Sequence, residues 1–241
     1  MEQIKPYKKG IEYSYTLGAF PTFELIKGQP ESVQAVYLHS TFTDRDNLVS
    51  LCNKYKIPVL TDDKLFHKLS DKENCFVIGI FDKYKCILDR NKSHIVLVNP
   101  SNMGNLGTII RTALGMGIQD IALITPCADV FNPKTIRSSM GALFKLRHQY
   151  FDSFKEYREI YQKHDVFTFM LNGMNTLEIQ NCPRTDLFSL VFGNEATGLD
   201  DSFLKEGTSI CIPQSPDVDS LNITIAVGIG TFIFTHQGSE Q

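Results

Sequence analysis

Three short segments hold side chains whose types and spacing suit chemistry on a polar, anionic substrate. The first runs from Asn99 to Ile118, NPSNMGNLGTIIRTALGMGI. It places Asn105, Thr108, Arg111 and Thr112 in the opening turns of a helix that is otherwise apolar. That helix follows a glycine-rich turn and the β-branched run His94–Val98, which reads as a buried strand. In open α/β sheets, ligands bind at such carboxyl ends of strands. The pattern therefore points to an α/β enzyme that handles an anionic or phosphate-bearing substrate. The second segment, Leu190 to Leu199 (LVFGNEATGL), offers Asn194 and Glu195. The third, Ile212 to Ile223 (IPQSPDVDSLNI), offers Ser220 and Asn222. All three contain small residues, and glycine in particular lets a ligand approach the main chain.

Taken singly, each segment has a plainer reading. Gly104-Asn-Leu-Gly107 reads equally as an ordinary loop before a helix, and Glu195 as a solvated loop carboxylate. Ser220 and Asn222 read equally as caps of the last helix, with Ser220 the natural N-cap. The first segment is not Gly-x-Gly-x-x-Gly, and no Walker lysine follows it, which counts against dinucleotide and P-loop sites.

These segments need elements to hold them. From residue 94 the pattern is strand 94–98, helix 106–116, strand 120–124 and helix Pro133–Met140. Gly141 to His148 follows as a connecting segment, then helix Phe154–His164, strand Asp165–Leu171, strand Leu187–Phe192, strand Ser209–Ile212 and helix Ser220–Phe234. Upstream, strands are expected at Ser32–Leu38, Ile57–Leu60 and Cys75–Ile80. Helices are expected at Asp44–Lys56, capped by Thr43 or Asp44, and at Asp62–Leu69. The polar stretch 83–93 reads as a linker or hinge. Strands alternating with helices imply an α/β fold with a parallel sheet covered on both faces. Two domains are expected, 1–85 and 86–241.

Composition sets bounds. The 241 residues are 42% hydrophobic and 21% charged, with a formal net charge of −3. A chain of this charge must meet any nucleic acid through a local basic patch, because phosphate contacts dominate such affinity. The candidates are Lys134, Arg137, Lys145, Arg147 and His148. The opening ten residues contain no apolar stretch of the signal-peptide kind, and no apolar run reaches the roughly 20 residues of a membrane helix. A cytoplasmic location without membrane attachment is expected. Six cysteines (52, 75, 86, 127, 182, 211) are scattered without a Cys-x-x-Cys pair. They read as free thiols in a reducing compartment, and no metal is expected.

In this order the three segments resemble the motifs of the SpoU/TrmH family of RNA 2′-O-ribose methyltransferases, within the SPOUT superfamily. Asn102 to Ala113 is similar to the first motif, Asn-x-Gly-Asn-x-Gly-(x)3-Arg-Thr-Ala. Phe192 to Leu199 resembles the second, and Ile212-Pro213 with Ser220-Leu-Asn222 the third. Arg137 to Phe144 resembles the family's linker between sheet halves. Residues 1–85 are more loosely similar to the L30e-like substrate-binding module that often precedes such a domain.

The resemblance implies a SPOUT-type sheet with a C-terminal trefoil knot, an exception to ordinary connection rules. It implies S-adenosylmethionine as cofactor, held by Leu171, Asn172, Gly173, Gly193, Ile212 and Leu221. It implies a homodimer and an RNA partner, ribosomal before transfer RNA. The catalytic set it implies is Arg111, Asn105, Glu195, Ser220 and Asn222, with Arg111 activating a ribose 2′-hydroxyl. A guanidinium rarely yields its proton, with a pKa above about 12. Arg111 either loses that proton beside a positive sulfonium or stays charged and stabilises the developing alkoxide. Close packing of the last helix through Gly228 and Gly230 serves either a dimer interface or the interior. The alternatives are the same chemistry on transfer RNA, a catalytically silent knotted RNA-binding factor, and a nicotinamide-dependent oxidoreductase, which would need a fingerprint absent here.

Overall fold

The computed structural model describes residues 4–70, 74–177 and 185–236. In chain order the first elements are β1 (Tyr13–Leu17), α1 (Ala19–Gly28), β2 (Val33–Leu38), α2 (Asp46–Lys54), β3 (Val59–Thr61), α3 (Asp63–Leu69) and β4 (Val77–Asp82). Then follow β5 (His94–Val98), α4 (Met103–Gly115), β6 (Asp120–Ile124), α5 (Pro133–Ser138), β7 (Arg147–Phe151) and α6 (Phe154–Ile160). The chain continues with β8 (Asp165–Phe169), β9 (Asn175–Thr176), β10 (Phe188–Phe192), β11 (Thr208–Cys211) and α7 (Ile223–Thr235). Two compact units form, one of residues 1–84 with 129–145, the other of 85–128 with 146–241.

The first unit has a four-stranded sheet in the order β1-β4-β2-β3. It is mixed rather than parallel, because β1 and β2 both run antiparallel to β4 while β3 runs parallel to β2. Sequence periodicity marks neither β1 nor α1, and β1 supplies one of the antiparallel pairings. Residues 129–145 join this unit through specific contacts. Ser14 Oγ donates to the Phe131 carbonyl at 2.5 Å, Tyr7 OH donates to Asp129, and the Phe81 ring meets Phe131 and Phe144 edge-on. Gly28 lies so close to the Phe144 carbonyl that an added Cβ would sit 2.3 Å from its oxygen.

The second unit is a parallel seven-stranded sheet in the order β7-β6-β5-β10-β8-β11-β9, among the described residues. Strands β5, β6 and β10 are buried along their whole length, as parallel strands covered on both faces must be.

Several expected boundaries move. The segment after α5 is not only a connection: Arg147–Phe151 forms the edge strand β7, whose polar sequence hides it from a periodicity reading. Its partner is Asp120, fully buried, which accepts from Arg147 Nε at 2.7 Å and Nη2 at 2.5 Å. Helix α2 begins at Asp46 with no side-chain cap, because the Arg45 carbonyl takes the first helical bond, leaving Thr43 and Asp44 outside. Helix α7 is capped by Asn222, not Ser220. Residues 83–93 form neither helix nor strand beyond a turn.

At the amino ends of β5 and β10 sits a buried polar chain. His94 Nδ1 lies 2.8 Å from Tyr157 OH, which lies 2.6 Å from Ser189 Oγ, in turn 2.9 Å from His164 Nδ1. The two imidazoles lie tilted to one another with centroids 4.4 Å apart. Burial pushes His94 down from its ordinary 6.5 to about 4, against the bond from the Asp89 carbonyl side and with the repulsion of His164 added. His94 is therefore neutral in the folded chain and protonates first in the unfolded one. Stability should fall as pH drops from about 6.5 to about 4, by up to ~3 kcal/mol in total. Urea unfolding at pH 7 and pH 5 should show this loss, and His94→Gln should flatten it. An unchanged pH dependence in that variant would contradict the assignment.

Candidate active site

The three chemistry-bearing segments begin where parallel strands end: Asn99 after β5, Gly193 after β10 and Ile212 after β11. Helix α4 opens with Asn102 as its N-cap, whose Oδ1 accepts from Gly104 N at 2.8 Å and Asn105 N at 3.1 Å. The carboxylate of Glu195 closes over the same helix end. It accepts from Ser101 N at 3.0 Å, Ser101 Oγ at 2.9 Å, Asn102 N at 3.1 Å and Asn105 Nδ2 at 3.5 Å. Partial burial pushes this carboxyl up, but the N–H donors of Ser101 and Asn102 and the Ser101 hydroxyl outweigh it, so the group sits below its ordinary value. Asn194 adds a second tie, donating from Nδ2 to the Asn99 carbonyl at 2.7 Å.

Gly193 serves the local backbone first. The chain folds back so that Asn194 and Gly198 pair, and a Cβ at 193 would lie 2.1 Å from the Gly198 carbonyl carbon. Gly198 supplies the left-handed turn, at φ 67°, which glycine adopts at no steric cost.

Beside this hairpin lies a cavity of about 330 Å³. Its floor is apolar: Phe169 and Phe192, stacked at 4.4 Å, with Ile210. Leu171, Asn172, Gly193, Ile212, Leu221, Glu195 and Ser220 all line it. Seven sequence-predicted residues from three loops thus meet in one place. Asn172 is oriented by donating to Asp201 Oδ1 at 3.0 Å.

Four predicted residues stand outside the lining. Gly173 seats its loop instead, since a Cβ there would lie 2.5 Å from the Ile210 carbonyl carbon. Asn105 reaches the site through Glu195. Asn222 caps α7, its Oδ1 accepting from Thr224 N at 2.8 Å and Thr224 Oγ1 at 2.7 Å. Arg111 is exposed and makes no hydrogen bond or ion pair among the described residues. It shares a helix face with Gly104, Thr108 and Gly115, whereas Asn105 and Thr112 share another. Glu195 holds the start of the helix on which Arg111 stands, two turns further on.

Sequence reasoning missed Ser101, Asp201 and the two floor phenylalanines. Ser101, beside the cap Asn102, carried the signal of a helix start. Asp201 carried none. Of the proposed basic patch, Lys145 is paired with Glu24, Arg147 with Asp120, and His148 is buried. Only Lys134 and Arg137 remain exposed without an ion-pair partner among the described residues. Among the described residues no cluster of His, Cys, Asp or Glu could hold a metal, and no helix is long and apolar enough to cross a membrane.

Residues 92–232 match the family model described as SpoU rRNA Methylase family. The chain is 35% identical over 134 residues to the 23S rRNA (guanosine(2553)-2′-O)-methyltransferase RlmP of Bacillus subtilis, covering 52% of this chain and 51% of that one. It is 26% identical over 245 residues to the 23S rRNA (adenosine(1067)-2′-O)-methyltransferase of Streptomyces azureus, covering 95% and 88%. The match spans about half the length of the first curated relatives. In fold it is similar to the AdoMet-bound rRNA methyltransferase of Sinorhizobium meliloti, with TM-score 0.78, 22% identity, and coverage of 92% and 86%.

The clasp sets a prediction. Charge-assisted bonds of this kind are worth roughly 1.5–3 kcal/mol each when buried. Here the group is part-exposed, so Glu195→Ala should destabilise by about 1–2 kcal/mol in all, with Glu195→Gln intermediate. The gap should close as pH falls below 4.5, where the unfolded carboxyl protonates and the folded-state advantage is lost. Denaturant unfolding at pH 7 and pH 4 measures both; equal stability of the alanine variant at pH 7 would sink the clasp.

Proposed function

The chain belongs to the SpoU rRNA methylase family, and on that premise we propose that it methylates a ribose 2′-hydroxyl of RNA, ribosomal RNA in particular, using S-adenosylmethionine. The observation that carries this reading is the convergence of the second and third motif loops on one cavity, with the first motif's helix start tied to its wall by Glu195. The relatives named as 23S rRNA 2′-O-methyltransferases support the substrate class.

The cavity suits the cofactor. Its volume falls within the range of small-molecule sites, and an apolar floor with a few polar groups at the rim is their usual make-up. Phe169, Phe192 and Ile210 would bury the flat, apolar part of the ligand, while Leu171, Asn172, Gly193, Ile212 and Leu221 would hold it at the rim. The main chain of Ile212 and Leu221 belongs to no helix or strand. When bound, S-adenosylmethionine supplies a methyl group made electrophilic by its sulfonium. No metal and no covalent enzyme intermediate are required by such a transfer.

The chain's own residues would then do two things. The Glu195 clasp, with Asn105, fixes the start of α4 against the cavity, which holds the reacting partners in a narrow range of geometries. Arg111, a cation on that helix, would stabilise the alkoxide as the 2′-hydroxyl loses its proton to solvent, the oxygen then bonding the methyl carbon as the carbon–sulfur bond breaks. Ser220 sits at the cavity rim, and Asn222 holds the start of α7 beside it.

We further propose a homodimer, in which a second copy completes the site around Arg111. The face of α7 carrying Ile225 and Phe232, 52% and 48% exposed, supports this. These residues lie seven apart, on one side of the helix. The trefoil knot, the L30e-like character of the first unit and a cytoplasmic location belong to the same reading.

Labelled methyl transfer to ribosomal RNA, transfer RNA and no RNA tests the proposal. Incorporation should be greatest with ribosomal RNA lacking the modification. The product should resist alkaline cleavage, because a methylated 2′-oxygen cannot attack the adjacent phosphate. Arg111→Ala should lower turnover by about 10²–10³-fold while S-adenosylhomocysteine binding stays within a few-fold. Methyl groups found on bases, or none on any RNA, would refute it.

A further inference from the structure

The described residues lining the candidate cofactor cavity include two carboxylates, Glu195 and Asp201, and no lysine, arginine or histidine. The stretch between its rim residues Ile212 and Ser220 carries Asp217 and Asp219 and again no cation. The two lining carboxylates are not equivalent. Glu195 is committed to the start of α4, where main-chain N–H groups surround it. Asp201 is exposed. Its side chain accepts one hydrogen bond, from Asn172 Nδ2 at 3.0 Å, and forms no ion pair among the described residues.

The main chain that carries Asp201 is nonetheless anchored. Asp200 caps the short helical turn Asp201–Lys205, its Oδ1 accepting from Ser202 N at 2.9 Å. Leu199 and Phe203, on either side, are buried in one apolar cluster under the sheet. The Phe203 carbonyl accepts from Thr168 Oγ1 at 3.2 Å. Asn172, from the loop after β8, then orients the carboxylate from across the cavity rim.

A cavity with carboxylates and no cation sorts adenosyl compounds by charge. S-adenosylmethionine carries a sulfonium, an ammonium and a carboxylate, hence one net positive charge. S-adenosylhomocysteine carries only the last two and has none. As the methyl group passes to the ribose oxygen, the carbon–sulfur bond breaks and the sulfur keeps the bonding pair. The sulfonium becomes a neutral thioether, and the proton of the hydroxyl leaves to solvent. The ligand thus loses its net charge while the cavity keeps its own. Opposite charges a few ångströms apart are worth about fivefold in affinity even at the screening of bulk water.

We propose that Asp201 is a specificity-determining residue, which makes the cavity prefer the cationic cofactor to its neutral product, so that methyl transfer itself loosens the product. The proposal rests on the reading of the chain as an S-adenosylmethionine-dependent methyltransferase. A carboxylate that only accepted hydrogen bonds from the ribose hydroxyls of the ligand would serve cofactor and product alike, so the ratio of the two affinities separates the roles.

The test is calorimetry of the full chain with S-adenosylmethionine, S-adenosylhomocysteine and sinefungin, which bears an amine in place of the methylated sulfonium. Wild type should bind the two cationic ligands more tightly than the neutral one, and rising salt should weaken only the cationic pair. Asp201→Asn should weaken the cationic pair about fivefold and leave S-adenosylhomocysteine within about twofold. That unchanged binding reports an intact cavity. Asp201→Lys should lower the ratio by a similar factor again, and Asp201→Glu should restore it. In methyl transfer, Asp201→Asn should raise KM for the cofactor and lower the ratio of the product's inhibition constant to that KM by about fivefold.

Equal losses for cofactor and product, or affinities that do not change, would overturn the proposal and leave the methyltransferase reading standing. Should the asparagine and lysine variants bind no ligand at all, the wild type decides, and equal salt dependence for S-adenosylmethionine and S-adenosylhomocysteine would overturn the proposal. Wild type that binds neither would overturn both.

Discussion

One carboxylate at one helix end organises the candidate site. The first N–H groups of a helix have no partner within it, and the aligned peptide dipoles leave that end partly positive. In α4 this end is served twice, by Asn102 from within and by Glu195 from a loop some ninety residues later. The second service does more than satisfy donors. It fastens the hairpin after β10 to the loop after β5, and Asn194 repeats the tie at Asn99. Neighbouring strands in a parallel sheet bring their carboxyl ends together, but they do not fix the loops beyond. Here two side chains do, and the cavity wall is the result.

That division explains what could be read in the sequence. The strands β5, β6 and β10 are mostly apolar, and polar residues cluster beyond the carboxyl ends of β5 and β10, so the position of the candidate site was legible. Partnership was not. Glu195 looks the same in sequence whether it faces water, Arg111 or a helix end, because its partner is set by packing between segments far apart. The same holds for Ser220 and Asn222: both are good caps by type, and only the geometry at Thr224 separates them. Gly193 is needed for a reason internal to its hairpin, which a reading centred on the ligand passed over.

Local charge misled for a related reason. Lys145, Arg147 and His148 form a basic run in sequence, yet Lys145 is matched by Glu24, Arg147 by a buried Asp120, and His148 is enclosed. A guanidinium gripping a fully buried carboxylate by two bonds is there to hold β7 to β6, since breaking such a pair would leave an uncompensated charge. Unmatched cations are found only by subtracting pairs of this kind.

The last helix shows how packing and site become one problem. Asn222 starts α7 where the third motif ends, so the loop lining the cavity and the helix share a boundary. Two turns on, Gly230 lies so near the sheet that a Cβ would come within 2.7 Å of the Phe169 ring and 3.2 Å of Phe192. Those rings form the cavity floor. Gly228, on another side of the helix, faces Thr112 of α4 across open van der Waals contact. The glycines therefore serve the interior, which leaves Ile225 and Phe232 as the apolar groups of α7 still exposed. A single methyl group at 230 would press on both rings, and dense interiors transmit such displacements rather than absorb them. The depth of the cavity is thus set by the closeness of a helix that contributes only Ile223 and Ala226 to its lining.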